Sequence, residues 1–367
     1  MNMANRFGSG IAVFILSALA LPAGAQDKGW EPEWNKTLAA AKKEGKVVLV
    51  GSPDPVVRKE LTEKFQNRFG ITLEYLGVRS GEAVGRIRNE RQAGVYTVDA
   101  WMGGTITLAT VHYAEKWIDP LKPALILPDV LNASKWKMGK LWFMDPEEKY
   151  VLRMINYASS MVSLNTAFVK PEEIKSVNDL LLPKWKGKIS AYIPTLQGSG
   201  ANVAAYLFAN LGEDFVRKLY VEQQPSISRD FRQMADWLAR GTYPVALSMR
   251  EEEVERLRKE GLPVITVYDL QGIPSRTVAG IGTVGLMNRA PHPNAARVFV
   301  NWIASKEGLE TYSRAYGTPT LRNDVDESFL SAAIIPRKEQ KYFDASSWEF
   351  ATGTEEKVRL RLAEMLK

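Results

Sequence analysis

Strand patterns rich in β-branched residues alternate with helical patterns over the first third of the chain, and this alternation limits the possible folds most. The run KVVLV at residues 46–50 is typical of a buried strand. Strands are predicted over residues 46–50, 71–76 and 98–102, and helices over 33–44, 55–69, 84–91 and 106–116. Repeated units of this kind form parallel sheets covered by helices, so the sequence predicts an α/β fold.

Polar and glycine residues follow each of these three strands. Ser52 follows the first strand, Arg79 with Ser80 the second, and Gly104 with Thr105 the third. Each of them can simply cap the helix that comes next. Because ligands of open α/β sheets bind outside the carboxyl ends of the strands, three such positions together favour a shared binding cleft.

A second candidate binding segment is ISAYIPTLQGSGANVAAYL at residues 189–207. It predicts a short strand, a turn through Gly198, Ser199 and Gly200, and then a helix. The first N–H groups of a helix lack intrahelical partners and lie at the positive end of its dipole, which favours an anionic group. An ordinary strand–turn–helix connection is the alternative interpretation.

The remaining patterns continue the alternation. An extended run over residues 150–164 is predicted to cross into a second lobe, and residues 278–287 are predicted to return to the first. Further strands are predicted over 244–249 and 264–268, and helices over 213–220, 229–240, 251–260, 293–304 and 355–366. The helix over 251–260 is highly charged, and we expect it to face solvent.

Length and composition indicate an ordinary folded protein of two lobes. The chain has 367 residues, of which 45% are hydrophobic and 25% charged, and it has no cysteine. Thiol catalysis, thiolate metal sites and disulfides are therefore excluded. The net charge is +6, and the basic residues are spread along the chain without long basic runs. This distribution suits a small anionic ligand better than nucleic acid.

The N-terminus has the pattern of a secretory signal peptide. Arg6 precedes an apolar run over residues 11–21, and Ala23-Gly24-Ala25 fits a cleavage site. We expect residues 1–25 to be removed during export to the periplasm. The loss of Arg6 would leave a net charge of +5.

Several motifs together resemble the type II periplasmic solute-binding proteins, the extracellular solute-binding family 1 group that includes ferric-ion-binding components of ABC importers. They are KVVLV with a Ser-Pro turn, VRSGEAVGRIRNERQAG, VDAWMGG, LLLPKWKGKIS, GTYPVALS and APHPNAARVFVNWIASKEG. The resemblance covers nearly the whole mature chain.

The resemblance implies two α/β lobes, each with a central, mostly parallel sheet, joined by two crossing strands near residues 155–161 and 271–280. Lobe 1 would comprise residues 26–156 and 273–320, lobe 2 residues 157–272, and a C-terminal helical segment residues 321–367. It further implies a monomer that carries a small solute in the interlobe cleft to a permease and ATPase of the inner membrane. No cofactor is expected.

One departure from the family pattern bears on the ligand. Ferric-binding members carry adjacent tyrosines just after the strand that is predicted here over residues 244–248, whereas this chain has Met249-Arg250. An arginine cannot ligate Fe³⁺, so a metal site is not expected. Arg250, with Arg79 opposite, instead favours a carboxylate, phosphate, phosphonate or sulfonate. A surface ion pair with Glu252 or Glu253 is the alternative role for Arg250.

Aromatic and amide side chains near these positions are further candidates. Tyr157, Trp101 and Tyr192 can line an organic ligand, although each can equally belong to the core, and Asn156 lies beside the first crossing.

No enzyme is indicated. The two histidines lack metalloprotease spacing, and neither a G-x-S-x-G elbow nor a Walker loop is present. Two alternatives to the importer component stay open: a periplasmic sensor that presents its ligand to a membrane kinase or chemoreceptor, and an importer component that binds a ferric chelate.

Overall fold

The computed structural model describes residues 28–367, so the predicted signal peptide lies outside the described residues. The strands are β1 (Lys46–Gly51), β2 (Thr72–Gly77), β3 (Ala100–Gly103), β4 (Ile118–Asp119), β5 (Leu152–Arg153), β6 (Tyr157–Ser159), β7 (Val162–Asn165), β8 (Ile189–Tyr192), β9 (Ser226–Ser228), β10 (Val245–Leu247), β11 (Val264–Val267), β12 (Arg276–Val278), β13 (Thr283–Met287) and β14 (Phe343–Asp344).

The α-helices alternate with these strands, and short 3₁₀ turns fill several connections. They are α1 (Glu31–Glu44), α2 (Pro55–Phe69), α3 (Ser80–Gln92), α4 (Thr105–Thr107), α5 (Pro128–Leu131), α6 (Ser199–Arg217), α7 (Phe231–Arg240), α8 (Glu251–Lys259), α9 (Pro293–Ala304), α10 (Lys306–Tyr316) and α11 (Glu356–Met365).

The first sheet has the order β2-β1-β3-β13-β4, with β5 paired to β13. Strand β1 is parallel to β2 and β3, whereas β13 is antiparallel to β3. Strand β13 enters from the second lobe, which explains its opposite direction. This arrangement confirms the predicted return strand and brings the ends of β1, β2 and β3 to one edge.

The second sheet has the order β11-β7-β10-β8-β9. Strands β10, β8 and β9 are parallel, and β7 is antiparallel to β10 and β11. Each sheet has its own core, with α1, α2 and α9 on the first and α6 and α11 on the second. The predicted α/β fold with two sheet-centred lobes is thereby confirmed.

The two connections between the sheets pair with each other. Strand β6 lies between β5 of the first sheet and β7 of the second, and β12 lies between β11 and β13. They run antiparallel, with Tyr157 opposite Val278 and Ser159 opposite Arg276. Strand β14 adds a third strand to this hinge sheet. The predicted run over residues 150–164 is therefore three short strands, one in each sheet.

Four other details differ from the sequence-based expectation. The helix predicted from the glycine turn to Leu207 and the helix predicted over 213–220 merge into α6, with a kink at Gly212 (φ 82°), and continue in a π-helical turn, Lys218–Glu222. The helix predicted over 106–116 is α4 followed by a π-helical stretch, Leu108–Tyr113. Helix α10 was not predicted. In the C-terminal segment, only residues 332–334 and 350–365 are helical.

Candidate functional site

Ser52 lies just after β1, where the chain turns into α2. Its hydroxyl accepts a hydrogen bond from the Asp54 N–H at 3.2 Å, and its carbonyl oxygen accepts one from the Tyr75 hydroxyl at 3.0 Å. Asp54 caps α2 by accepting from the N–H groups of Val56 and Val57. Ser52 therefore keeps only part of its hydrogen-bonding capacity for a ligand.

Arg79 and Ser80 stand at the start of α3, after β2. The Arg79 side chain is 72% exposed, and its Nη1 lies 3.6 Å from a carboxylate oxygen of Glu82. No side chain caps α3. Arg79 is thus a solvent-facing group at the first lobe's edge, next to free helical N–H groups.

Gly104 and Thr105 follow β3, and they differ in what they offer a ligand. A Cβ atom on Gly104 would lie 3.5 Å from the carbonyl oxygen of Gly280, in the connection between β12 and β13. Thr105 is buried, and its hydroxyl lies 3.6 Å from the Met144 sulfur. The backbone at Gly104 is therefore more available to a ligand than the Thr105 hydroxyl.

The glycine turn of the second lobe is held closely against its own sheet. A Cβ atom on Gly200 would lie 2.3 Å from the Ile193 carbonyl oxygen and 2.4 Å from that of Tyr192, so only glycine fits. The Ser199 hydroxyl donates to the Ser248 carbonyl oxygen at 3.3 Å, which ties the start of α6 to the end of β10. Gly198 is exposed at the N-cap position.

The connection from β10 to α8 carries Arg250 and is strained. Ser248 is buried with φ 65°, a conformation that is unfavourable for a residue other than glycine and concentrates at functional sites. The Arg250 guanidinium lies 4.6 Å from the ring centroid of Phe231, which stacks on Tyr192 at 3.9 Å. The rings of Phe231 and Tyr192 form an aromatic shelf that positions Arg250. No close ion pair to Glu252 or Glu253 forms within the described chain, but the charge of Arg250 does act on Glu252, whose pKa it lowers.

Most α-helices of the described chain lack a side-chain cap at the N-terminus, and three of these follow strands that lead to candidate residues. Helices α3, α6 and α8 begin after β2, β8 and β10, and their N-cap residues make no side-chain cap hydrogen bond, although at α8 the Glu252 carboxylate accepts from its own backbone N–H. By contrast, Asp54 and Asp230 cap α2 and α7. The uncapped groups can donate to an anion.

Tyrosines lie between the lobes at the hinge. Tyr157 of β6 is hydrogen-bonded to Tyr316, and the Tyr316 ring stacks on that of Tyr312 at 5.7 Å. The Tyr157 hydroxyl also lies beside Gly280. Burial raises the pKa of all three hydroxyls, so they stay neutral hydrogen-bonding groups at physiological pH. Tyr312 and Tyr316 were missed because α10 was missed, although their spacing of four residues places them on one helix face.

Two acidic residues at the start of α8, Glu251 and Glu252, have raised pKa values. The surrounding protein atoms raise the pKa of Glu252, although the residue is still exposed at the surface. Its own backbone N–H and the charge of Arg250 lower this pKa, and the charge of Asp54 from the first lobe raises it. Burial also raises the pKa of Glu251, which accepts hydrogen bonds from Tyr268 and Thr266 at 2.8 and 3.0 Å. The start of α8 is therefore not the purely solvent-facing surface that we expected.

The contacts join the predicted residues into two groups. In the first group, the Ser199 hydroxyl bonds to the carbonyl oxygen of Ser248, two residues before Arg250. In the second group, Gly104 and the Tyr157 hydroxyl both lie beside Gly280. Tyr316 interacts with one member of each group. Its hydroxyl bonds to Tyr157, and the charge of Arg250 lowers the pKa of this hydroxyl.

Other sequence candidates lie elsewhere. Trp101 is buried in the first lobe, and Asn156 accepts a hydrogen bond from Arg153. Within the described residues, the Arg79 side chain pairs with Glu82 and with neither of the two groups.

Comparison with known proteins identifies the family. A family model described as bacterial extracellular solute-binding protein matches residues 60–336, more than half of the chain. The chain belongs to this family. A Haemophilus influenzae protein, named only as uncharacterized, is 22% identical to this solute-binding protein over 278 residues, 74% of this chain and 76% of its own.

Solved structures share the fold of this solute-binding protein. The periplasmic binding protein AfuA from Actinobacillus pleuropneumoniae, with exogenous fructose-6-phosphate bound, has a TM-score of 0.68 at 18% identity and covers 87% of this chain and 97% of its own. The apo ferric ion-binding protein A of Pasteurella haemolytica has a TM-score of 0.67 at 12% identity and covers 88% of this chain and 98% of its own. Iron-bound HitA from Pseudomonas aeruginosa has a TM-score of 0.65 at 14% identity and covers 87% of this chain and 98% of its own.

The family is one of extracellular solute-binding proteins, so this protein is a binding protein and not an enzyme. The described residues contain no cluster of three or more histidine or acidic side chains that could hold a metal ion. Within residues 28–367, no helix has the length and apolarity needed to cross a bilayer.

Proposed function

We propose that this protein captures a small anionic solute in the cleft between its lobes and delivers it to an ABC permease and ATPase. It would act as a monomer in the periplasm after cleavage near Ala25. The ligand would contact Ser52, Arg79, Ser80, Gly104, Thr105, Tyr157, Gly198, Ser199, Gly200 and Arg250.

The observation that carries the proposal is the position of Arg250. Its guanidinium stands at the start of a helix without a side-chain N-cap, on an aromatic shelf, and makes no close ion pair among the described residues, although its charge lowers the pKa of Glu252. The uncapped start of α6 is tied to the same loop through Ser199. A planar cation beside two sets of free N–H groups suits a carboxylate or a phosphate.

Glu252 is compatible with an anion when it is protonated. Burial and the charge of Asp54 raise its pKa, whereas the charge of Arg250 lowers it, and the protonated carboxyl can donate a hydrogen bond instead of repelling the ligand. An organic anion with hydroxyl groups would also find donors and acceptors in Tyr157 and Tyr316. The fructose-6-phosphate of the structural neighbour AfuA makes sugar phosphates one class to test.

A thermal-shift screen of refolded, ligand-free protein tests the proposal. The panel contains inorganic oxyanions, organic acids, phosphonates, sugar phosphates, polyamines and ferric chelates. A ligand at about one hundred times its dissociation constant adds about 2.7 kcal/mol of stability. We expect a stabilising anion, whereas a response to polyamines alone would contradict the proposal.

The two alternatives remain distinguishable. A neighbour of the same fold, at 17% identity and with a TM-score of 0.63, is titled a two-component system protein that mediates signal transduction. A histidine kinase gene beside this gene would favour a sensor, and permease and ATPase genes would favour import. A neighbour from Trichodesmium holds iron and citrate, so a shift with ferric citrate but not citrate would favour the chelate-binding alternative.

A further inference from the structure

A second cavity lies behind the hinge, outside the proposed cleft. It has a volume of about 370 Å³ and is lined by residues 158–161, Tyr206, residues 267–270 and 273–276, and the C-terminal residues Ala332, Ala333, Ile335, Arg337 and Tyr342. No residue of the first sheet or its helices lines it. This volume is within the range of small-molecule sites.

Arg276 is the central polar group of this cavity. It lies on hinge strand β12 and is only 6% exposed. Its Nη1 donates to the Asn202 side-chain oxygen at 3.2 Å, its Nη2 to the Ser159 hydroxyl at 3.3 Å, and its Nε has no partner in the described chain. A buried guanidinium without an adjacent carboxylate is costly, because two neutral acceptors only partly replace its hydration.

The acidic groups nearby are engaged elsewhere. Glu355 is linked to Arg276 by hydrogen bonds through Asn202, whose amide nitrogen donates to the Glu355 carboxylate at 2.9 Å, and the charge of Arg276 also lowers the pKa of Glu355. Asp269 lines the cavity but pairs with Arg337 and accepts from Gln340 at 2.9 Å. Two guanidinium groups therefore line the cavity. Arg337 pairs with Asp269, whereas no carboxylate among the described residues is hydrogen-bonded to Arg276.

Several other side chains that line the cavity are apolar and can contact the apolar part of a ligand. Met161, Val267, Leu270, Ile273 and Ile335 border the cavity beside the polar end formed by Arg276 and Ser159. We propose that this cavity is a second ligand site, which binds a small monocarboxylate with its carboxylate on Arg276 and its apolar part under residues 332–335. Because Arg276 and Ser159 face each other across β12 and β6, the bound ligand would join the two crossing strands.

Calorimetric titration with sodium hexanoate tests this site. The titrations use full-length mature protein carrying Arg250→Ala, so that the proposed cleft contributes as little heat as possible. Hexanamide, which has the same shape without the charge, is the ligand control. We expect one hexanoate per chain, bound at least tenfold more tightly than hexanamide.

Two substitutions locate the binding. Arg276→Gln removes the charge, and Ala333→Trp places a large side chain at the cavity's edge from an exposed residue outside the hinge strands. Each should weaken hexanoate at least tenfold, whereas the control Lys338→Trp, nearby but outside the lining, should not. If Arg276→Gln fails to fold, Ala333→Trp decides the question alone. No binding of hexanoate, or binding that survives Ala333→Trp, would overturn the proposal whatever the cleft binds.

Discussion

At the residue scale, the burial of Glu355 makes the protein's stability depend on pH. Glu355 is 3% exposed and accepts a hydrogen bond from Asn202. Burial raises its pKa to about 7, and the Asn202 bond and the Arg276 charge only partly oppose this effect. Between its ordinary pKa and about 7, the folded protein keeps a proton that the unfolded chain has released. Stability therefore falls as the pH rises through this interval.

We expect Glu355→Gln to remove this dependence. At pH 8 the variant should have a free energy of unfolding higher than wild type by on the order of 3 kcal/mol, and at pH 4.5 the two should be nearly equal. Urea denaturation at both pH values measures the difference. The exposed Glu349→Gln is the control, and an equal effect of Glu355→Gln at both pH values would contradict the account.

The residue scale is also where the sequence was least informative. The chain order placed Arg250 and Ser199 at strand ends, because alternating units bring those ends to one edge. The stacking of Phe231 on Tyr192, which supports Arg250, depends on the tertiary approach of α7 to β8 and has no local signal.

At the element scale, the accuracy of the sequence predictions followed the strength of the local signals. Helix α2 has the predicted bounds because Asp54 caps it, Pro55 begins it and Gly70 ends it at φ 68°. Helix α10 was missed although Ser305 caps it, since α9 ends one residue before that cap and the two patterns run together. The pairing of β14 with β12 is a long-range contact that no local pattern specifies.

Two helical glycines should respond oppositely to alanine. Gly200→Ala would force a Cβ atom against two carbonyl oxygens of β8 and the turn after it, and we expect a loss of about 3 kcal/mol in the free energy of unfolding. Gly85→Ala, in α3, meets nothing within 4 Å and should add about 0.5 to 1 kcal/mol. Thermal and urea denaturation compare them, and a stable Gly200→Ala would refute the close approach of α6 to β8.

At the scale of the whole molecule, the C-terminal segment forms a third connection between the lobes. Trp348 packs in a first-lobe cluster, edge to face with Tyr113 at 5.0 Å, while Phe350 and Leu362 belong to the second-lobe core. Arg153 of β5 also pairs with Asp344 of β14 at 2.7 Å. Opening of the lobes must therefore strain or release these contacts.

Trp348→Ala should lower the free energy of unfolding by about 3 to 4 kcal/mol, because it empties a buried site. It should also increase the radius of gyration of the ligand-free protein in small-angle X-ray scattering, since one interlobe contact is lost. Leu360→Ala, on the exposed face of α11, is the matched control and should change neither quantity measurably. An unchanged radius in a folded Trp348→Ala protein would show that the segment does not hold the lobes together.

The central claim is that Arg250 and the helix N-termini beside it bind an anion in the cleft, and calorimetry tests it most directly. The anion that stabilises the protein most in the screen is titrated into ligand-free wild type, Arg250→Ala and Arg258→Ala. Arg258 lies on the same helix but pairs with Glu255 at 3.0 Å on the surface. We expect Arg250→Ala to weaken binding by about 2 kcal/mol, roughly thirtyfold, and Arg258→Ala to have no effect. Equal affinities for all three proteins would contradict the account.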